Sequence, residues 1–212
     1  MDESYLTCEV GQNQSPVAID KAIHSPELHN IRFVYHTSNV KVSLLDDKVL
    51  RLSLVNENKI HGPGGEWVLK DILIHVPSEH TIKGIKYDVE IQLRHEDKKK
   101  KRMNISVFAK EGAFHKDLAR VISAASRAAT GGAASDTLSL SGIDLRSFLP
   151  YRKNYYMYQG SETTPPCKEG VLWVLLKKPI SLASKHIDLM EKHFAKTSRP
   201  QMPLGVRIPL VH

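Results

Sequence analysis

The chain contains no apolar run of about 18 residues, the length a helix needs to cross a bilayer, so a membrane-spanning helix is not expected. Its opening stretch, MDESYLTCEV, lacks the basic block and the apolar block of a secretory signal, so either the mature chain starts here or a leader has been trimmed. Cysteine is scarce: Cys8 and Cys167 are the whole complement. Far apart in sequence, they fit one long-range disulfide, two free thiols or no role at all, and they do not by themselves prove an oxidising compartment. A bridge between them would close a loop worth about 4 to 5 kcal/mol in the chain-entropy view. No internal repeat is present, which excludes repeat architectures.

What is present fits one soluble domain. A chain of 212 residues with 41% hydrophobic residues can bury a sizeable core. The formal net charge of +7 favours anionic partners without naming one. Much of the excess sits in Lys98, Lys99, Lys100, Lys101 and Arg102. That run reads first as a solvated hairpin tip, and secondarily as a docking patch for a polyanion or an acidic protein.

The most informative stretch runs from Asp71 to His95, DILIHVPSEHTIKGIKYDVEIQLRH. Its halves have the period of two that a pleated strand needs. Asp71, Leu73 and His75 share one face of the first half. In the second half Tyr87, Val89, Ile91 and Leu93 interleave with Asp88, Glu90, Gln92 and Arg94. Pro77 and Ser78 end the first strand, and Lys83-Gly84 offers a turn with a residue free to take positive φ. Antiparallel pairing would set the 71/73/75 face beside the 90/92/94 face, where any site is expected to lie.

The rest reads as scaffold. Residues 1 to 30 look like an irregular lead-in. Strands are expected over Ile31–Tyr35, Val40–Leu45, Val49–Leu54, Asn104–Lys110, Tyr155–Tyr158 and Val171–Leu176, with a turn at Asp46-Asp47. Helical spacing predicts one helix over about Phe114–Ala128, ended by Thr130-Gly131-Gly132, and a second over about Ser184–Phe194. Ala133–Leu145 reads as a surface connection of low complexity. Many short strands with two interrupting helices predict a mainly β (α+β) single domain over residues 1–212.

Four segments then carry a resemblance: Gln14-Ser15-Pro16, Pro77-Ser78-Glu79-His80-Thr81, Glu90 through His95, and Gly160 through Cys167 (GSETTPPC). In order and spacing they resemble the α-class carbonic anhydrases. Trp173, Arg199-Pro200 and Pro203-Leu204 extend the match over roughly residues 8 to 208. The resemblance implies a large, twisted, mostly antiparallel sheet of about ten strands with a few short peripheral helices. The aromatic N-terminal segment usual in the family is absent ahead of Cys8, so the chain is expected to be trimmed or to take that packing from a partner.

Family enzymes hold zinc with three histidines, two alternating on one strand and one on its neighbour. A tetrahedral metal gathers them at about 2.0 to 2.1 Å and keeps a fourth position for water. The matching positions here are Leu73, His75 and Gln92. Leucine has no donor and an amide oxygen is a poor one, so zinc is expected to be absent. With no zinc to lower the pKa of a water, the hydratase reaction is expected to be lost. Ser38 matches the proton-shuttle position and does not titrate near pH 7. Arg94, Asn104 and Glu162 match aliphatic positions of the carbon dioxide pocket, and Arg94 is expected to pair with Glu162 or face water. Glu79 and Thr163, followed by Thr164, match the pair that orients the zinc-bound hydroxide; here they are expected to keep a structural hydrogen bond. The resemblance also implies a Cys8–Cys167 disulfide and, with it, a secreted, lumenal or organellar setting.

Of the eleven histidines, His75 is expected to be an ordinary hydrogen-bonded residue, and His80 and His95 structural ones. A metal site rebuilt from His75, Glu162, Asp71 and Gln92 would need carboxylates in place of imidazoles. Three functions follow: an inactive family member kept as a protein-binding, structural or assembly module, as relatives with lost ligands and plant storage relatives imply; an enzyme with a rebuilt polar or metal site and weak hydratase or esterase activity; or a module binding anionic polysaccharide through Lys98–Arg102. A protein partner is expected, and nucleic acid is not.

Overall fold

The computed structural model of the chain describes residues 3–45, 49–130 and 138–212, with side chains from residue 7 onward. In chain order the elements are α1 (Glu3–Val10), β1 (Ala18–Ile19), β2 (Ile23–His24), β3 (Arg32–Val34), β4 (Thr37–Leu45), β5 (Val49–Leu54), β6 (Lys59–Gly62), β7 (Gly65–His75), β8 (Thr81–Ile82), β9 (Ile85–Lys86), β10 (Val89–Glu96), β11 (Arg102–Glu111), α2 (Lys116–Thr130), β12 (Leu138–Asp144), β13 (Tyr155–Ser161), β14 (Glu169–Leu176), β15 (Ile180–Leu182), α3 (Ser184–Phe194) and β16 (Leu210–Val211). A short 3-10 turn, Leu145–Phe148, follows β12. Among the described residues no helix is long and apolar enough to cross a membrane.

One mixed sheet runs in the order β12-β4-β5-β7-β10-β11-β14-β13-β16-β2. Its pairs are antiparallel except at β11–β14, β11–β15 and β16–β2. The expected large, mostly antiparallel sheet with few short helices is therefore the observed fold.

Alternation along the central strands builds two different layers. Val89, Ile91 and Leu93 of β10, with Met103, Ile105 and Val107 of β11, point into the main core, which also takes Leu118, Val121 and Ile122 of α2 and Ile187, Met190 and Phe194 of α3. Each such buried aliphatic or aromatic side chain contributes about 1.5 to 3 kcal/mol. On the opposite face, Phe108 of β11, Tyr158 of β13 and Trp173 of β14 form a second cluster. Beneath β7 and β10 the same face is polar and yet buried, carrying Glu90 and Gln92.

Local chemistry explains several boundaries. Lys83 and Gly84 both have positive φ, 51° and 73°, and join Ile82 to Ile85 in a two-residue turn whose twist suits the β8–β9 hairpin. β5 and α3 keep their expected bounds, while β7 begins well before Asp71.

Two expectations need correction. Residues 1 to 30 are not wholly irregular, since Glu3–Val10 is a helix anchored through Cys8. Ala133–Leu145 is not simply a surface connection: Leu138–Asp144 is the edge strand β12, paired with β4. Leu138 and Leu140 alternate with serines and pack partly against the core, a strand pattern masked by small residues. The Asp46-Asp47 turn and the Gly131-Gly132 helix stop lie outside the described residues.

Candidate functional site

β7 and β10 lie antiparallel, with His75 opposite Glu90, Leu73 opposite Gln92 and Asp71 opposite Arg94. Pleating puts all six side chains on one face, as the alternation requires. Burial is nearly complete at the centre: Leu73 is 1% exposed, His75 0% and Gln92 1%.

Three polar groups organise this centre. Gln92 Nε2 donates to Glu79 Oε2 at 2.6 Å and to Glu90 Oε1 at 3.2 Å, bridging two buried carboxylates. The other Glu79 oxygen accepts the Arg199 backbone N–H at 2.8 Å. His75 Nδ1 lies 2.9 Å from the Thr197 carbonyl oxygen, which can only accept, so Nδ1 carries the proton. His75 Nε2 is buried without a partner among the described residues.

Glu90 anchors the next layer. Its Oε2 accepts the backbone N–H groups of Glu79 and His80, and its Oε1 accepts from His80 Nδ1 at 2.8 Å and Ser106 Oγ at 2.7 Å. Burial pushes its pKa up, but the His80 charge, with the hydrogen bonds from His80 and Ser106, outweighs that and holds it down at about 2. His80 Nε2 meets the Tyr158 hydroxyl at 2.6 Å, and that hydroxyl meets Ser15 Oγ at 2.7 Å. The network ties the first segment of the family resemblance to the last, because Ser161 Oγ accepts the Ser15 N–H at 2.9 Å.

Toward the surface the site is closed by ion pairs. Asp71 accepts from Arg94 Nε and Nη2, each at 2.6 Å, and from Arg51 Nε at 2.9 Å and Nη2 at 2.7 Å. Burial works against the Arg94 charge, yet the Asp71 contact outweighs it and raises the guanidinium pKa further. Glu162 binds Arg102 at 2.7 Å. A cavity of about 170 Å³ remains, lined by Lys70, Arg94, Arg102, Asn104 and Glu162 among others, and Leu73, His75 and Gln92 are not in its wall.

Two expected pairings are corrected by this arrangement. Arg94 pairs with Asp71 rather than Glu162, because Asp71 faces it directly across the β7–β10 register, while the other expected outcome, contact with water, holds in that the Arg94 and Glu162 side chains remain 21% and 16% exposed. Glu79 is not hydrogen-bonded to Thr163: the Gln92 amide, longer than a ring-constrained histidine, reaches one Glu79 oxygen, and the Arg199 N–H takes the other. Thr163 is buried, and the neighbouring Thr164 offers its carbonyl to the Cys167 N–H. Ser38 is buried and accepts from Asn58 Nδ2 at 2.8 Å.

Arg51 escaped the sequence reading. Its only signal was its place between Leu50 and Leu52, and the neighbouring position of β5 and β7 was needed to aim it at Asp71. Asp71→Ala would leave two guanidiniums without their carboxylate. Because both arginines reach water, the expected loss is about 2 to 3 kcal/mol, below the figure for a fully buried pair, as read from the urea midpoint. An unchanged midpoint would show that solvent already screens the cluster.

The expected disulfide is present, with Cys8 and Cys167 linked across 159 residues. The basic run is a structured hairpin tip: Asp97 Oδ1 accepts the N–H groups of Lys99 and Lys101, each at 2.8 Å. Lys100 pairs with Glu96 and Arg102 with Glu162, while Lys98, Lys99 and Lys101 are exposed and form no salt bridge among the described residues.

His95 lies beyond the site, fully buried, with Nε2 at 2.7 Å from the Tyr35 hydroxyl. Burial lowers its pKa from 6.5 to about 4. The unfolded chain therefore binds the extra proton first, so this stability contribution is whole above about pH 6.5 and fades as pH falls towards about 4, by about 3 kcal/mol. Unfolding measured across this window should show the slope, and His95→Gln should remove it.

A zinc ion, which the fold family implies, does not fit these residues. One imidazole lone pair faces the centre, Leu73 contributes nothing, and Gln92 turns its NH2 group to two carboxylates. Asp71 and Glu162 are held by arginines, and among the described residues no group of three or more His, Cys, Asp or Glu side chains is placed for a metal.

The profile of the eukaryotic-type carbonic anhydrases matches residues 2–209. A carbonic anhydrase of Klebsiella pneumoniae is 29% identical over 98% of this chain and 83% of its own length. Dioscorin DB3L of Dioscorea polystachya is 26% identical over 98% of this chain and 78% of its own. Among solved structures, a hyperthermostable carbonic anhydrase from a hydrothermal vent chimney superposes with a TM-score of 0.86 at 31% identity, covering 100% of this chain and 92% of that one. Profile, relatives and sheet agree, and the chain belongs to the eukaryotic-type, α-class, carbonic anhydrase family.

Proposed function

We propose that this protein is a carbonic anhydrase-family member that has lost the zinc-hydroxide reaction and serves as a binding, structural or assembly module. The observation that carries the reading is Gln92, whose amide stands at the third ligand position and donates to Glu79 and Glu90 inside a fully buried centre. That amide supplies the contact to Glu79 Oε2, whose other oxygen takes the Arg199 N–H, and adds one more donor to Glu90. Closure by Asp71, Arg51 and Arg94 supports the same reading, since a hydratase must admit carbon dioxide and water to its metal. The disulfide supports a secreted, lumenal or organellar setting.

Zinc content and carbon dioxide hydration of the purified chain test this. Less than about a tenth of an equivalent of zinc and hydration at the buffer rate are expected, because one imidazole is too few ligands for a retained ion. Stoichiometric zinc, or hydration well above buffer, would overturn the reading.

A second reading, anionic polysaccharide binding, is favoured by the exposed and unpaired Lys98, Lys99 and Lys101. Such binding should weaken steeply with salt, whereas an assembly contact with a fixed protein partner should not.

A further inference from the structure

The sheet edge remote from Gln92 carries a groove that the reading above does not use. Strands β11, β14 and β13 separate it from β10. It is an open groove of about 840 Å³, within the size range of small-molecule sites. Its apolar wall includes Tyr156, Ile23 and Ile208, and the two isoleucines are 56% and 62% exposed. A small β-rich domain gains nothing in its own core from isoleucines left in water at a sheet edge.

The charge lining this groove has one dominant sign. Lys21, Lys83, Lys177 and Arg207 face Asp20 as the one acidic residue of the wall. None of the four cations forms a salt bridge among the described residues. Arg207 is held instead by backbone carbonyls, those of Leu204, Gln14, Gln159 and Pro203, so its position is fixed without a carboxylate in salt-bridge contact among the described residues. Lys177 is steadied over the Tyr156 ring at 5.2 Å and donates to the His212 carbonyl at 2.8 Å. Burial and the nearby Lys83 charge both lower the Lys177 pKa, as expected where two ammonium groups share a partly buried space.

We propose that this groove binds a small amphipathic anion, a carboxylate with an aliphatic or aromatic body, whose head lies between Lys83 and Lys177 and whose body covers Tyr156, Ile23 and Ile208. Charge complementarity selects the anion, and the exposed isoleucines select an apolar body over inorganic phosphate or a sugar. The site is independent of the ligand positions on β7 and β10, so its fate is separate from that of the hydratase reading.

Titration calorimetry of the intact protein with octanoate, set beside uncharged 1-octanol, tests the proposal. Saturable one-to-one binding of octanoate is expected, with octanol at least about tenfold weaker, the difference one charge-assisted contact makes. Lys83→Gln, an exposed position that leaves the core untouched, should weaken octanoate by about tenfold, as should about 0.5 M salt. Lys98→Gln, on the distant hairpin tip, should change nothing. Equal binding of octanol, indifference to Lys83→Gln, or no saturation by octanoate at millimolar concentration would each overturn it.

Discussion

Leu73→His combined with Gln92→His is expected to raise zinc retention to about one equivalent per chain. The two substitutions place imidazoles opposite one another across the β7–β10 register, beside His75, whose Nε2 is already free and whose tautomer is set by the Thr197 carbonyl. Three imidazoles on one pleated face are the donor set that holds zinc with an open fourth position. Removing the Gln92 amide also frees Glu79 and Glu90 to accept from the new ring, the outer contact that orients a metal-bound histidine. Affinity should rise by at least about three orders of magnitude, as two imidazoles replace an isobutyl group and an amide. Hydration should recover far less, because Arg51, Arg94 and Asp71 still close the approach. Adding Arg94→Val with Asp71→Gln, which removes the charged lid as a pair, should raise turnover further. If the double variant took up no zinc while remaining folded, the ligand positions would be wrongly assigned.

Reduction of Cys8–Cys167 is expected to lower stability by about 4 to 5 kcal/mol. The bridge spans 159 residues, so its loss releases nearly the whole chain in the unfolded state, where the chain-entropy effect of a cross-link lies. Native contacts around it should persist: Arg199 donates to the Cys8 carbonyl at 2.6 Å and Gln14 to the Cys167 carbonyl at 3.1 Å. The urea midpoint should therefore fall and the slope should rise as the reduced unfolded chain expands. A Cys8→Ala, Cys167→Ala variant should match the reduced protein. Identical midpoints with and without reductant would mean that the bridge contributes nothing.

The strand pair around the centre was legible because a period of two is written directly in side-chain polarity. Glu90, Gln92 and Arg94 alternate with Val89, Ile91 and Leu93, and the pairing with β7 is antiparallel although the connection carries the β8–β9 hairpin rather than a single short turn. The strand Leu138–Asp144 was hidden because serine and glycine blur polarity, and its pairing with β4 is a contact distant in sequence. The helix at Glu3–Val10 was missed because its stability comes from its anchoring at Cys8 rather than from an amphipathic pattern.

By itself the sequence determined the sheet, the strand register at the centre and which residues share its polar face, because each depends on residue type at a fixed spacing along one or two neighbouring strands. Only the tertiary structure decided how the charges on that face are satisfied. Arg51 reaches Asp71 from β5, Arg199 reaches Glu79 from near the C-terminus, and the Gln92 amide closes the gap between Glu79 and Glu90. A buried charge must find a partner wherever the packed chain brings one within about 3 Å, and that choice is made by strand order and loop placement, which no local pattern records.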